Sequence, residues 1–157
     1  MALPLIEHTE YINAPIERCF DLARDVIIHT QTTEDTKEKA VDGVTTGLLT
    51  MGDTVTWEAV HFGIRQRLTA KVTAMNKPYM FEDIMIQGAF HSFRHVHEFT
   101  EKATGTLMTD RFLYKSPFGI IGTIADKLFL ERYMRKFIIS RAKALKSIAE
   151  HERSSFF

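Results

Sequence analysis

The chain has 157 residues, a length that suits one domain. Its 45% apolar and 25% charged residues are the balance of an ordinary globular protein, which excludes disorder along most of the length. Lys+Arg and Asp+Glu both number 20, so the chain lacks the strong basic footprint of a nucleic-acid binder, and no nucleic-acid partner is expected.

A single cysteine, Cys19, leaves no disulfide within the chain and favours a reducing compartment. Its spacing on a predicted helix fits a small buried side chain. The opening residues Met1 to His8 have no basic segment and no long apolar run, so no signal peptide is expected. No window approaches 18 uninterrupted apolar residues, and no membrane insertion is expected. The expected location is the cytoplasm.

In chain order, residues 3–12 read as a strand that ends at the turn Asn13-Ala14-Pro15. Pro15 then sits in the first turn of a helix, where its missing N–H costs nothing. Ile16, Cys19, Phe20 and Ala23 follow at helical spacing, and Asp25 starts a second short helix, Val26 to Thr32. The polar stretch Asp35 to Asp42 has room for one short strand. Gly43, Gly47 and Gly52 punctuate the following loop, in which Val44 to Thr50 has no clear period.

From Asp53 onward the pattern is that of strands. Five runs rich in β-formers follow: 53–62, 64–75, 79–86, 90–100 and 106–114. Gly63, Asn76-Lys77-Pro78, Gly88 and Lys102 to Gly105 separate them, and such short connections predict an antiparallel meander. In the second run, alternation places Gln66, Leu68, Ala70, Val72 and Ala74 on the inner face. In the fourth run, Phe93, His95, His97 and Phe99 share a face.

After Ser116-Pro117 the period turns helical. Ile120, Ile124, Leu128, Tyr133 or Met134, Phe137 or Ile138, Ala142, Leu145 and Ala149 track one stripe, with Lys127, Arg132, Arg135, Lys136, Arg141, Lys143 and Lys146 on the other faces. A helix over 118–151 would reach roughly 50 Å, enough to cross a sheet. Gly119 and Gly122 near its start allow a bend, and Phe156 and Phe157 are unusual apolar residues at a chain end. The predicted class is α+β: a curved antiparallel sheet of about six to seven strands wrapped around a long C-terminal helix, with two short helices after the first strand. The space between sheet and helix is the expected pocket, a large closed cavity.

Three segments carry a resemblance. They are Gly52 to Trp57 continuing through His61-Phe62-Gly63 to Arg65-Gln66; Phe81-Glu82-Asp83 through Gly88-Ala89-Phe90 to Phe93-Arg94-His95-Val96-His97-Glu98-Phe99; and Thr106 to Asp110 followed by Ser116 to Gly122. Over nearly its whole length the chain resembles the START-like, or SRPBCC, superfamily. Its members include the birch-pollen-allergen fold, polyketide cyclases and lipid-transfer domains. The similarity is to the bacterial cyclase/dehydrase-like branch, whose members are often labelled cell division inhibitors. The resemblance implies a helix-grip fold over 1–157 as a single ligand-binding domain, and no single reaction.

The polar residues on inward-leaning strand faces are the candidate site. Trp57 shares a parity with His61, His95 with His97, and Asp110 with Met108, Phe112 and Tyr114. Asp83 shares one with Phe81 and Met85, against Ile84 and Ile86 on the opposite face. A lone buried carboxylate costs several kcal/mol, so Asp83 and Asp110 need partners, and the histidines are the nearest. One reading is a polar network that only braces the sheet.

A second reading is a cavity for a small hydrophobic molecule (a lipid, polyketide or aromatic metabolite), lined by Trp57, His61, Phe81, Phe93, His95, His97, Met108 and Asp110. A third is a cyclase, dehydratase or hydrolase with His95 or His97 as acid or base and Asp110 or Asp83 as the orienting partner. His95-Val96-His97 is also a spacing that metal sites use, with Asp110 or His61 as a third ligand, but strand histidines two apart recur without metals and no metal is assigned. With no phosphate loop, nucleophile elbow or cofactor fingerprint, no cofactor is expected. Arg132, Arg135 and Lys136 read as a solvated face, with a patch for anionic lipid headgroups (a transient lipid contact) or a protein partner as the alternative. The family label also suggests a regulatory protein-interaction module as another reading of the whole chain.

Overall fold

The computed structural model describes residues 3–117 and 129–151. Seven strands form one antiparallel sheet: β1 (Leu5–Ile12), β2 (Lys39–Gly43), β3 (Thr54–His61), β4 (Ile64–Asn76), β5 (Met80–Gln87), β6 (Ser92–Glu101) and β7 (Thr106–Lys115). Their order across the sheet is β1-β7-β6-β5-β4-β3-β2. Two short helices, α1 (Ile16–Ala23) and α2 (Val26–Thr32), and one 3-10 turn at Glu34–Thr36 join β1 to β2. The C-terminal helix α3 (Glu131–His151) packs against β1, α1 and α2.

The helices begin where local chemistry lets them. Pro15 stands at the N-cap of α1 with φ −61°, one position before the first turn the sequence predicts. Asp25 caps α2 in the ordinary way, its carboxylate accepting from the backbone N–H groups of Ile27 and Ile28. Ile16, Cys19, Phe20 and Ala23 form the buried face of α1, and Cys19 is wholly buried.

The strand meander follows the glycine punctuation. At the β3–β4 turn Phe62 and Gly63 both take positive φ, 54° and 74°. That pair of left-handed residues matches the twist of a two-residue hairpin, and glycine takes the second position without strain.

Sheet curvature comes from register shifts. β4 is 13 residues long and carries irregularities against β5 at Thr69/Ala70 and at Val72/Ala74. The second one alters the predicted alternation. Val72 faces inward as expected, but the extra residue reverses parity beyond it. Ala74 therefore pairs with the outward-facing Glu82, and Met75 instead packs into the core opposite Phe81. On β5 the ambiguity resolves in favour of Phe81 and Asp83 as the inner set, while Ile86 is exposed.

The core has two main parts under α3. Near the α1 end, Ile12, Phe20, Phe81, Phe99, Met108 and Leu145 pack together, with Phe20 edge-on to both Phe81 and Phe99. At the other end Ile6, Phe93, Phe112, Tyr114, Met134 and Ile138 form the second cluster. Burying side chains of this size contributes about 1.5–3 kcal/mol each, so these clusters fix the helix across the sheet. The predicted helical stripe holds over Met134, Ile138, Ala142, Leu145 and Ala149. Ile120, Ile124, Leu128, Gly119, Gly122, Phe156 and Phe157 lie outside the described residues, as does the predicted helix start at 118.

Candidate functional site

Between the two core clusters lies a cavity of about 90 Å3. β3, β4, β5, β6 and β7 supply Trp57, Ala70, Phe81, Asp83, His95, His97 and Phe112 to its wall. The helices close it from above with His29, Met134, Phe137, Ile138 and Arg141. Most of this lining is apolar, and the polar groups gather in two places.

The first group is a linked set of four side chains on β5, β6 and β7. His95 Nε2 lies 2.9 Å from Asp110 Oδ1. His97 Nε2 lies 3.1 Å from Asp83 Oδ1, and its Nδ1 is 3.0 Å from Asp110 Oδ1. That last contact is at ion-pair distance but off the line of a hydrogen bond. Register explains the grouping: His97 pairs directly with Asp110 on one side and Phe81 on the other, and His95 pairs with Asp83. The His97 ring also stacks on Phe81, with centroids 4.1 Å apart.

The charges of this set follow from burial and partners. Burial works against the ionised form of Asp110, but the hydrogen bond from His95 and the close contact with His97 outweigh it and hold the carboxyl well below the usual range. Asp83 is held down in the same way by its hydrogen bond from His97. Burial favours neutral His97, yet contacts to Asp110 and Asp83 prevail and raise its pKa. For His95, burial and then the neighbouring His97 lower it, so His95 is the neutral member. An ionised carboxylate only accepts, so His95 carries its hydrogen on Nε2 and leaves Nδ1 as a lone pair.

The second group is His29, Glu38 and Arg141. His29 Nε2 is 3.0 Å from Glu38 Oε1, and the imidazole stacks on Trp57 with centroids 4.0 Å apart. Burial lowers the His29 pKa. The Arg141 Nη2 donates to the carbonyl of Ala23 at 3.1 Å. Its Nε is buried and has no hydrogen-bond partner among the described residues. A buried unpaired donor costs about 1–3 kcal/mol, and this one belongs to a residue on the cavity wall.

The residues predicted from sequence divide as follows. Trp57, Phe81, Asp83, His95 and His97 line the cavity. Asp110 lies beneath, joined to both histidines and only 2% exposed. Phe93 and Met108 pack in the core clusters and are not part of the lining. His61 stands at the end of β3, where its Nδ1 meets the hydroxyl of Tyr133 on α3. Sequence reasoning missed His29, Glu38 and Arg141. Arg141 had a readable signal, since Met134, Ile138, Arg141 and Leu145 follow at spacings of 4, 3 and 4, a basic residue within the buried stripe.

No family model and no curated protein matches this chain. Solved structures do. A protein of Thermus thermophilus, TTHA0849, superposes with a TM-score of 0.76 at 21% identity, over 92% of this chain and 95% of its own. The fold is the helix-grip fold. The major latex-like protein 151 of Panax ginseng has it too, with a TM-score of 0.70 at 12% identity over 95% of this chain and 99% of that one. So does the di-domain ARO/CYC StfQ of the steffimycin biosynthetic pathway, with a TM-score of 0.76 at 10% identity. The match covers 98% of this chain and 52% of StfQ. The helix-grip architecture accounts for the placement of the cavity between sheet and α3.

Proposed function

We propose that the protein binds a compact, mainly apolar small molecule in the cavity between the sheet and α3, with a hydrogen-bond acceptor of that molecule received by Arg141. The observation that carries this is the buried Nε of Arg141, without a hydrogen-bond partner among the described residues, on the wall of a mainly apolar cavity. A carbonyl or carboxylate oxygen there removes the penalty of the unpaired donor, while an apolar body is matched by Phe81, Phe112, Phe137 and Ile138. The structural likeness to the ginseng latex-like protein and to StfQ supports a ligand-holding role by analogy of fold.

Size narrows the class. A dry cavity of about 150 Å3 holds one benzene ring. At about 90 Å3 this cavity is smaller, and well below the roughly 300–1,000 Å3 of drug-sized sites. The fit is to a molecule of about one ring, admitted with small shifts of Met134 and Phe137, rather than to a long-chain lipid.

A second reading has its own observation. Neutral His95, held by buried Asp110 and facing the cavity, is an imidazole positioned as a general base. Under this reading the bound molecule loses a proton to His95 Nδ1, as in a cyclisation or dehydration.

Native mass spectrometry of the unheated protein, followed by extraction, tests the binding reading. A retained molecule with a carbonyl or carboxylate, lost in Arg141→Leu, supports it. Absence of any bound mass, together with no stabilisation by a panel of single-ring ketones and carboxylates, overturns it. Turnover lost in His95→Gln with retention of binding would establish the catalytic reading.

A further inference from the structure

We infer that Asp83, His95 and His97 form a binding site for a divalent transition-metal ion on the cavity wall, with Asp110 as the buried carboxylate that orients both histidines. One ligand atom from each of the three residues can be chosen so that all lie within 4.8 Å of one another. Two are already at ligation spacing: His97 Nε2 and Asp83 Oδ1 are 3.1 Å apart. Ligand atoms about 2.0 Å from a tetrahedral zinc ion stand roughly 3.3 Å from each other. No pair in the set is more than 4.8 Å apart, so reaching that geometry takes a closure of at most about 1.5 Å.

The arrangement behind the three ligands is what distinguishes this cluster from a plain polar network. Histidines that hold metals give their other ring nitrogen to a carboxylate or carbonyl, which fixes the tautomer and turns the ligating nitrogen toward the ion. Here one carboxylate stands beside both rings, hydrogen-bonded to His95 and at ion-pair distance from His97. Asp110 Oδ1 lies 2.9 Å from His95 Nε2 and 3.0 Å from His97 Nδ1. The remaining nitrogens, His95 Nδ1 and His97 Nε2, are then the two free to ligate, and His97 Nε2 already faces Asp83. The ion takes the place of the hydrogen between His97 Nε2 and Asp83.

Charge and access agree. With both imidazoles neutral, Asp83 and Asp110 together balance a divalent cation, so no net charge is left in the buried set. All three ligands line the cavity, so positions not filled by protein open onto it. Two imidazoles and one carboxylate suit zinc, cobalt, nickel, copper or ferrous iron rather than magnesium or calcium. The site does not depend on which organic molecule occupies the cavity.

The test is calorimetric titration of the chelator-treated full chain with Zn2+, paired with the visible spectrum of the Co2+ form. The expected result is one ion per chain, with Co2+ absorption of a low-symmetry nitrogen and oxygen site. Asp83→Asn and His95→Gln should each weaken binding more than a hundredfold. Asp110→Asn should weaken it by about 10–100-fold, the size of the effect when an orienting carboxylate is lost. Glu38→Gln, at the other polar group, should leave it unchanged. Failure of the wild-type chain to bind one equivalent overturns the site whatever the variants do. So does binding that is undiminished in folded Asp83→Asn and His95→Gln. Either failure leaves the ligand reading of Arg141 standing, since that is read from a different side chain and probe.

Discussion

The imidazoles of His95 and His97 stack on each other, with centroids 3.8 Å apart and planes inclined by 30°. Two positive rings at that distance in a buried site would repel strongly, so at most one of the pair carries a positive charge. Asp110 is the group that makes the stack tolerable, because it meets both rings from behind. Asp110→Ala should therefore cost about 3–5 kcal/mol, the usual result of removing one member of a buried charged set. Urea denaturation measures it, and a loss below about 1 kcal/mol would show that the network is dispensable.

Acid should destabilise the fold. His29, His61 and His95 have folded-state pKa values lowered chiefly by burial. Below pH 6.5 the unfolded chain takes up protons that these sites refuse, so their contribution is complete above 6.5 and falls as pH drops. Glu38, Asp83 and Asp110 are held below their ordinary values and add losses at lower pH still. His97 has the opposite sign: its raised pKa gives stability that is complete below 6.5 and is lost only as pH rises through the folded value. Between pH 6.5 and 5 nothing opposes the decline. Denaturation midpoints at fixed ionic strength should fall steadily over that window, and a flat or rising profile would refute this assignment of charges.

Ile138 is 4% exposed and forms part of the cavity ceiling. Ile138→Ala should lower stability by about 2–5 kcal/mol while enlarging the cavity. The variant should then be stabilised by two-ring compounds that do nothing for the wild-type chain. Thermal melts with and without such compounds decide this, and equal responses in the two proteins would mean that Ile138 does not limit ligand size.

Much of this was readable in advance, and the failures have physical causes. Alternation on β6 put His95 and His97 on one inner face, because a strand's period of two survives wherever no bulge intervenes. On β4 a bulge did intervene, and Ala74 moved to the outer face while Met75 turned inward. No local signal in the sequence marks that extra residue. Phe93 and Met108 have the right parity for the cavity but sit too far along their strands, within the packed ends. Parity predicts a face and not a position beneath the helix. His29 stacks on Trp57 and meets Glu38 only through tertiary contacts, which no local pattern announces. The cavity, at about 90 Å3, is smaller than the large one expected, and the bulky side chains of Phe81, Phe112, Phe137 and Ile138 line it.

Trp57 is the single tryptophan and borders the cavity, so its fluorescence reports occupancy directly. The most direct measurement of acceptor binding at Arg141 is a Trp57 titration with matched single-ring compounds, one of each pair bearing a carbonyl or carboxylate and the other lacking it. Wild-type protein and Arg141→Leu are compared side by side. The predicted result is saturable binding of the acceptor-bearing compounds, at least about tenfold tighter than their partners, corresponding to the roughly 1.4 kcal/mol of one hydrogen bond to a charged group. In Arg141→Leu that preference should vanish while the folded structure persists. No Trp57 response to any of these compounds, or an unchanged preference in Arg141→Leu, would contradict the assignment of this cavity as an acceptor-selective binding site.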